Sequence, residues 1–182
     1  MNEIRIFDNV FPQPESYRAA ALRAEYRSYD FGHCVFHGIA TGGPTVELLA
    51  FIRGIQPNLE PTLTFFRQSP LDQAEPNDIH TDVDMGSWTA LLYLNPAPPK
   101  EDGTNFWTHK ATGAISSAIA HERSIEGRDR DAWVLREHVA GKFNRVLMFP
   151  GALFHSRAIH ANYGAGESAR LVQVVFGKGE LL

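Results

Sequence analysis

The chain has 182 residues, enough for one domain with a substantial core, and its 43% hydrophobic and 21% charged residues are ordinary for a globular protein. A formal charge of -4 and a pI near 6.0 give no basic field for nucleic acid or for an anionic membrane surface, so we expect neither partner. The sequence has one cysteine, no basic leader at its start and no run of about 18 apolar residues. We therefore expect a cytoplasmic protein.

Residues 1–60 are expected to form a mainly helical support. Residues 4–7 alternate apolar and polar side chains as a short strand does, and Pro14 suits the first turn of an amphipathic helix. Residues 29–43 show no clear period, so we expect irregular or edge structure near the mouth of a pocket. Residues 44–55 place apolar side chains at helical spacing, which predicts a second helix.

Six later segments are rich in β-branched and aromatic residues and are bounded by turn-forming residues, which predicts strands. They are residues 62–67, 88–94, 102–107, 144–149, 153–159 and 169–176. Between the third and fourth of them, residues 114–123 and 131–139 have a helical pattern. We therefore expect a barrel formed by residues 61–107 and 143–178, with a helical insertion at 108–142.

The order of these elements, two helices followed by many short strands, predicts a mainly β protein with flanking helices. A β-sandwich or a jelly roll fits this order. No internal repeat, low-complexity tract or linker divides the sequence, so we expect a single domain over residues 1–182. A metal site in such a barrel would lie inside it, at one mouth.

His80 and Asp82 are two residues apart, and side chains at positions i and i+2 of an extended strand point to the same face. One short segment therefore supplies two candidate metal ligands. His155, which follows residues 149–151 on a later predicted strand, supplies a third. Two histidines and one carboxylate on one face of a metal leave the opposite face open. Non-haem Fe(II) enzymes that bind an organic cosubstrate and O₂ together use this arrangement.

Arg170 is the candidate residue for binding a second group beside the metal. If the last two strands form a hairpin that turns near Tyr163 and Gly164, and Arg170 lies opposite Arg157, then Arg170 shares a face with His155 at about 7 Å along the strand. A guanidinium at that distance suits the far carboxylate of a five-carbon diacid whose other end chelates the metal. This placement depends on the hairpin register, since a slip of one residue turns Arg170 to the other face.

Five motifs follow one another along the second part of the sequence. They are His80-Thr81-Asp82, Leu91-Leu92-Tyr93-Leu94-Asn95, Gly103-Thr104 before Phe106, Phe149-Pro150-Gly151 before His155, and Arg170 before an apolar strand. With these motifs in this order and spacing, residues 62–177 resemble the Fe(II)/2-oxoglutarate-dependent dioxygenases of the prolyl 4-hydroxylase type.

The resemblance implies a double-stranded β-helix, the cupin-like jelly roll, with Fe(II) held by His80, Asp82 and His155. It also implies that Arg170 and Tyr93 bind the distal carboxylate of 2-oxoglutarate. In that family O₂ and 2-oxoglutarate yield succinate and CO₂ while an unactivated C–H bond of the substrate is oxidised, by default through hydroxylation. Halogenation is disfavoured, because halogenating relatives usually have a small residue at the position of Asp82.

The sequence departs from the family at Asp102, where relatives usually have the first glycine of a Gly-Gly pair. We expect Asp102 to alter only that turn and to contact none of the metal ligands. The loops that would set specificity are residues 29–43, 68–78 and 108–142, and none carries a recognisable ligand motif. The chain carries no substrate-recruiting domain, so we expect a small-molecule or amino-acid substrate. The sequence does not indicate an oligomeric state.

Two functions of other classes remain open from the residues. One is a jelly-roll metal-binding module, or an inactive relative that keeps the fold and serves in recognition. The other is a cupin-like, non-oxidative metalloenzyme, such as a zinc- or manganese-dependent isomerase or hydrolase. Metal analysis together with 2-oxoglutarate binding separates both from the dioxygenase.

Overall fold

The computed structural model describes residues 4–30, 32, 35–73, 78–119, 125–159 and 161–181. The strands are β1 (Arg5–Asp8), β2 (Arg27–Asp30), β3 (Val35–Ala40), β4 (Glu60–Ser69), β5 (Trp88–Tyr93), β6 (Gly103–His109), β7 (Trp133–Ala140), β8 (Arg145–Pro150), β9 (His155–Arg157) and β10 (Arg170–Lys178). The α-helices are α1 (Pro14–Leu22), α2 (Val46–Ile55) and the short α3 (Ile125–Arg128). Within these residues, no helix is long and apolar enough to cross a membrane.

The strands form two antiparallel sheets. The larger sheet has seven strands in the order β1-β8-β5-β10-β4-β3-β2, and the smaller has three in the order β7-β6-β9. A single bridge between His80 and His155 extends the smaller sheet by one more segment. From β4 onward the chain passes repeatedly between the two sheets, which gives a mainly β, jelly-roll-like fold.

The large sheet separates two apolar layers, because its side chains alternate between its faces. One face packs against α1 and α2, and its buried residues include Phe66, Trp88, Leu92, Met148 and Leu171 from the strands with Tyr17, Leu48 and Ile52 from the helices. The opposite face meets the small sheet, and its buried residues include Tyr93, Leu147, Phe149, Val172 and Val174 with Phe106 and Val139. We call the space between the two sheets the barrel interior.

Both N-terminal helices lie where the sequence pattern predicts them, and α1 has Pro14 in its first turn. The six predicted strands correspond to β4, β5, β6, β8, β9 and β10. Residues 1–60 are more than a helical support, because β1, β2 and β3 join the large sheet. Residues 29–43, expected to be irregular or edge structure, include β3 and the end of the outermost strand β2.

The predicted helix at residues 131–139 is wrong, because Trp133–Ala140 form the strand β7. Trp133 and Val139 are buried, and the five residues between them are exposed. Pairing with β6 along its whole length outweighs the weak helical pattern of this segment, and its aromatic and β-branched residues suit an edge strand. Residues 114–119 are not helical either, since Ser116 forms a bridge with Leu153. The rest of that predicted helix, residues 120–123, lies outside the described residues.

The predicted hairpin between the last two strands is also wrong. Strand β9 pairs with β6 in the small sheet, whereas β10 pairs with β4 and β5 in the large sheet. Arg170 therefore lies opposite Ser69 of β4 and not opposite Arg157. Gly164 and Gly166 have positive φ angles of 68° and 54°, and the turns they form let the chain cross from one sheet to the other.

Candidate metal centre

His80, Asp82 and His155 converge in the structure. One potential ligand atom from each of them lies within 4.8 Å of the other two. Among the described residues, no other group of three His, Cys, Asp or Glu side chains has this geometry. Nε2 of His155 is 3.2 Å from Oδ2 of Asp82, and Nε2 of His80 is 3.6 Å from Oδ1. The three residues picked from the sequence thus come together, while their role as metal ligands stays a prediction.

Backbone hydrogen bonds place these three side chains. The N–H of His80 donates to the carbonyl of His155 at 3.0 Å, and the N–H of His155 donates back at 2.9 Å. The two residues are therefore a hydrogen-bonded antiparallel pair with side chains on one face. The N–H of Asp82 donates to the carbonyl of Gly151 at 2.7 Å. Any Cβ at Gly151 would lie 2.4 Å from the carbonyl oxygen of Gly86, so this close approach requires glycine.

Each histidine is oriented by a carbonyl two residues earlier. Nδ1 of His80 is 2.8 Å from the oxygen of Asp78, and Nδ1 of His155 is 2.9 Å from the oxygen of Leu153. Since a carbonyl can only accept, Nδ1 carries the proton, and in the neutral ring the lone pair is therefore on Nε2. Both Nε2 atoms face the Asp82 carboxylate, so the donor set suits a divalent transition metal.

The carboxylate of Asp82 is charged at neutral pH. Burial raises its pKa, but the charge and hydrogen bond of His155, the charge of His80 and a 2.7 Å hydrogen bond from Thr89 together hold the pKa at about 2. Burial has the largest single effect and lowers the pKa of His155, but the charge and hydrogen bond of Asp82, together with the hydrogen bond to Leu153, raise the pKa above its ordinary value. A cation bound between these groups would take the place of the proton shared by the histidine and the carboxylate.

Arg170 lies further along the same barrel interior. Arg170 pairs with Ser69 of β4 in the large sheet. Its side chain lies on the same face of this sheet as those of the buried residues Val172 and Val174, which face the barrel interior. Nε of Arg170 donates to Oδ1 of Asp102 at 2.8 Å. Burial has the largest single effect and lowers the pKa of Arg170, but the charge and hydrogen bond of Asp102, together with the charges of Tyr93 and Tyr163, raise the pKa above its ordinary value. Asp102 therefore does more than shape its turn, although its side-chain hydrogen bonds within the described part of the chain reach none of the three candidate metal ligands.

Tyr93 lies on β5, on the same face. Its hydroxyl forms a 2.8 Å hydrogen bond with Oγ1 of Thr104. Val172 of β10 pairs with Tyr93, so Arg170 lies two residues further along β10, on the same face as Tyr93. Burial raises the pKa of Tyr93 to about 12, so the phenol keeps its proton at neutral pH.

Three residues of this region were assigned no binding or positioning role from the sequence: Asp102, Thr104 and Tyr163. The hydroxyl of Tyr163 donates to Oδ2 of Asp102 at 2.7 Å. Thr104 belongs to a motif of the resemblance, and Asp102 is a departure from it, so both carried a sequence signal. Tyr163 lies in a glycine-containing turn and carried none.

No family model matches the chain, and no curated protein is significantly similar to it. Among solved structures, SnoK, a non-haem alpha-ketoglutarate-dependent carbocyclase from nogalamycin biosynthesis, has a TM-score of 0.64 and 13% identity, covering 97% of this chain and 80% of SnoK. The epimerase SnoN from nogalamycin biosynthesis has a TM-score of 0.58 and 11% identity, covering 96% of this chain and 76% of SnoN. HygX from Streptomyces hygroscopicus, solved with nickel and 2-oxoglutarate, has a TM-score of 0.55 and 15% identity, covering 96% and 82%. At such identities the likeness shows a shared fold.

Proposed function

We propose that the protein is a non-haem Fe(II)- and 2-oxoglutarate-dependent dioxygenase. The observation that carries this proposal is the convergence of His80, Asp82 and His155, with both imidazole Nε2 atoms and the carboxylate facing one point. Two histidines and one carboxylate suit Fe(II) and leave positions for a chelating cosubstrate and O₂. SnoN has been solved with Fe³⁺, alpha-ketoglutarate and nogalamycin RO, and its similar fold supports the assignment.

The fold we propose is a double-stranded β-helix. Counting the His80 bridge as the remnant of a strand, the chain from β4 to β10 supplies four segments to each layer. β4, β5, β8 and β10 lie in the large sheet, and the His80 segment, β6, β7 and β9 lie in the small sheet. This alternation supports the double-stranded β-helix. Placement in the prolyl 4-hydroxylase-like branch is part of the same proposal and rests on the motif order.

In this proposal Fe(II), 2-oxoglutarate and O₂ together supply the oxidation of an unactivated C–H bond, with succinate and CO₂ as coproducts. His80, Asp82 and His155 hold the metal. Arg170 and Tyr93 bind the distal carboxylate of the cosubstrate. The rings of Phe149 and Phe106 lie 4.7 and 6.4 Å from the ring of His155, centroid to centroid, and these apolar groups help to exclude water from the metal's inner side.

We propose a small-molecule or amino-acid substrate that is hydroxylated. Solved structures of similar fold contain small molecules, namely nogalamycin RO in SnoN and hygromycin B in HygX. Product mass distinguishes the possible outcomes. Hydroxylation adds one oxygen atom, epimerisation leaves the mass unchanged, and ring closure removes two hydrogen atoms.

The test is to add Fe(II) and 2-oxoglutarate under anaerobic conditions and to record the visible absorption spectrum. A chelated 2-oxo acid gives a weak charge-transfer band. We expect the band in the wild type and in Asp84→Ala, because Asp84 is exposed, and its loss in Asp82→Ala. Asp84 is the matched control, since it is the next carboxylate along the same segment. Bound iron without cosubstrate binding would contradict the proposal and favour a cupin-like, non-oxidative metalloenzyme. Absence of any metal binding would also exclude a jelly-roll metal-binding module and would favour an inactive relative that keeps the fold and serves in recognition.

A further inference from the structure

The guanidinium of Arg170 is almost completely enclosed, with 4% of the residue exposed. Its hydrogen bonds to the described part of the chain use Nε alone. A guanidinium has five N–H donors, so the two terminal nitrogens, Nη1 and Nη2, keep four. Neither terminal nitrogen is among the fully buried side-chain atoms that lack a partner, so both border accessible space, and the planar Nη1–Nη2 edge matches the two oxygens of a carboxylate.

Asp102 holds Arg170 through a carboxylate that is itself held at both oxygens. Oδ1 accepts from Nε of Arg170 and from the backbone N–H of Gly103 at 2.7 Å, and Oδ2 accepts from the hydroxyl of Tyr163. Asp102 is 1% exposed. A carboxylate with these three donors has little freedom to rotate, so the plane of the guanidinium is fixed as well. The edge formed by Nη1 and Nη2 is then the part of Arg170 available to a ligand.

A second donor lies on the same face of the large sheet, on the strand next to that of Arg170. The hydroxyls of Tyr93 and Thr104 have two protons between them, and their mutual hydrogen bond uses one. The other proton is available to a ligand. Tyr93 and Arg170 are close enough for each to affect the other's pKa: the charge of Arg170 lowers the pKa of Tyr93, although burial keeps it raised. A carboxylate at this place would accept from both the guanidinium edge and a hydroxyl.

We propose that Asp102 is a positioning residue that orients Arg170 for two-pronged binding of the distal carboxylate of 2-oxoglutarate, with Tyr163 holding Asp102 in turn. This inference rests on the proposed function and deepens it. It assigns a role to the position where the resembled family usually has a glycine. Asp102 itself contacts Arg170 and not the cosubstrate.

Positioning and simple charge neutralisation predict opposite results when Asp102 is removed. If Asp102 only neutralised Arg170, its loss would leave an unpaired buried cation and strengthen the binding of an anionic ligand. If Asp102 orients the guanidinium, its loss frees the side chain to rotate and weakens the binding of a carboxylate. An asparagine at this position separates the two roles further, because it keeps an oxygen acceptor for Nε and removes the charge.

The experiment is an anaerobic titration of the Fe(II)-loaded protein with 2-oxoglutarate and, separately, with 2-oxopentanoate, which has the same length and lacks the distal carboxylate. In Asp102→Ala we expect 2-oxoglutarate to bind about tenfold more weakly and 2-oxopentanoate to bind within about twofold of the wild type, by analogy with outer-shell substitutions. In Asp102→Asn we expect 2-oxoglutarate affinity within about threefold of the wild type.

Three results would overturn the inference and leave the proposed function standing: tighter or unchanged 2-oxoglutarate binding in Asp102→Ala, equal loss for both acids, or an Asn variant as defective as the Ala variant. A wild type that binds iron but shows no preference for 2-oxoglutarate would instead overturn the proposed function. If Asp102→Ala does not fold, Tyr163→Phe replaces it. We expect about threefold weaker binding of 2-oxoglutarate alone in that variant, and unchanged binding would overturn the inference.

Discussion

The two histidines of the candidate metal centre have the same local chemistry and very different surroundings. Each donates Nδ1–H to a carbonyl two residues earlier, and the two form one backbone-paired bridge. The side chain of His155 is 8% exposed, whereas that of His80 is 40% exposed. The comparison shows that one ligand belongs to the barrel wall and the other to its rim. A metal bound by this group would therefore be approached from the His80 side.

The two ligands also depend on different parts of the chain. His155 begins β9, which pairs with β6, and its ring packs against Phe149. The segment before His80 depends instead on the short helix α3. The N–H of Ile79 donates to the carbonyl of Gly127 at 2.9 Å, and Arg128 lies 3.4 Å from the carboxylate of Asp78.

The largest effects are expected from removing the ligands themselves. His155→Ala and His80→Ala should each lower metal affinity by more than about a hundredfold, since outer-shell changes alone cost 10- to 100-fold. Their effects on the metal-free protein should differ. His155→Ala leaves a cavity beside Phe149 and should lower the free energy of unfolding by about 2 kcal/mol, whereas His80→Ala should change it by less than about 0.5 kcal/mol. Urea denaturation measures both, and equal losses would contradict the division between wall and rim.

An intermediate effect is expected from Gly127→Ala. A Cβ at this position would lie 2.5 Å from the carbonyl oxygen of Ile79, so the segment that presents His80 must move. We expect metal affinity to fall about tenfold, as for other changes that shift a ligand without removing it. The free energy of unfolding should change little, because His80 lies at the rim.

Gly54→Ala is the matched control. Gly54 lies in α2, and a Cβ there would meet nothing within 4 Å. Replacing an exposed helical glycine by alanine should stabilise the protein by about 0.5 to 1 kcal/mol and leave metal binding unchanged. Isothermal titration with the metal compares the two variants. If Gly127→Ala bound metal as the wild type does, α3 would have no part in holding His80.

The smallest effect concerns an ion pair that joins β1 to β8 at the edge of the large sheet, and the dependence of its contribution on pH. Arg145, which begins β8, forms a two-pronged hydrogen bond with Asp8 of β1, at 2.7 and 3.0 Å. The hydrogen bond from Arg145 outweighs burial and, with Lys142, lowers the pKa of Asp8 from 3.8 to about 2. Because this pKa is lower in the folded state, the ion pair stabilises the fold above pH 3.8 and the contribution is lost as the pH falls towards 2.

Asp8→Asn should therefore be less stable than the wild type by about 1 kcal/mol at pH 6, a value reduced for solvent screening because Asp8 is partly exposed. The difference should close between pH 3.8 and about 2. Urea denaturation of both proteins across this range gives the two curves. A difference in the free energy of unfolding that stayed constant with pH would show that Asp8 stabilises the large sheet through packing and not through its charge.

The sequence was most informative where one short segment sets the geometry. The i, i+2 spacing of His80 and Asp82 and the strand that carries His155 sufficed to predict three side chains that converge. Both N-terminal helices and six strands followed from local patterns, because turn residues and periodicity are local properties.

The errors concern features that depend on distant pairing. Trp133–Ala140 form the strand β7 because β6 pairs with them, and their own aromatic and β-branched residues are too weak a signal to predict that pairing. The assumed hairpin failed because strands β9 and β10, although close in sequence, belong to different sheets. The contact between Asp102 and Arg170 joins residues far apart in the chain, and only the fold brings them together.

The backbone bridge between His80 and His155 has a consequence for how such a chain can diversify. The two ligands are held together by their own main-chain hydrogen bonds, so their separation in space does not depend on how many residues connect them. Loops between them can lengthen, shorten or change composition without moving the imidazoles apart. New surfaces can therefore arise around an unchanged pair of imidazoles.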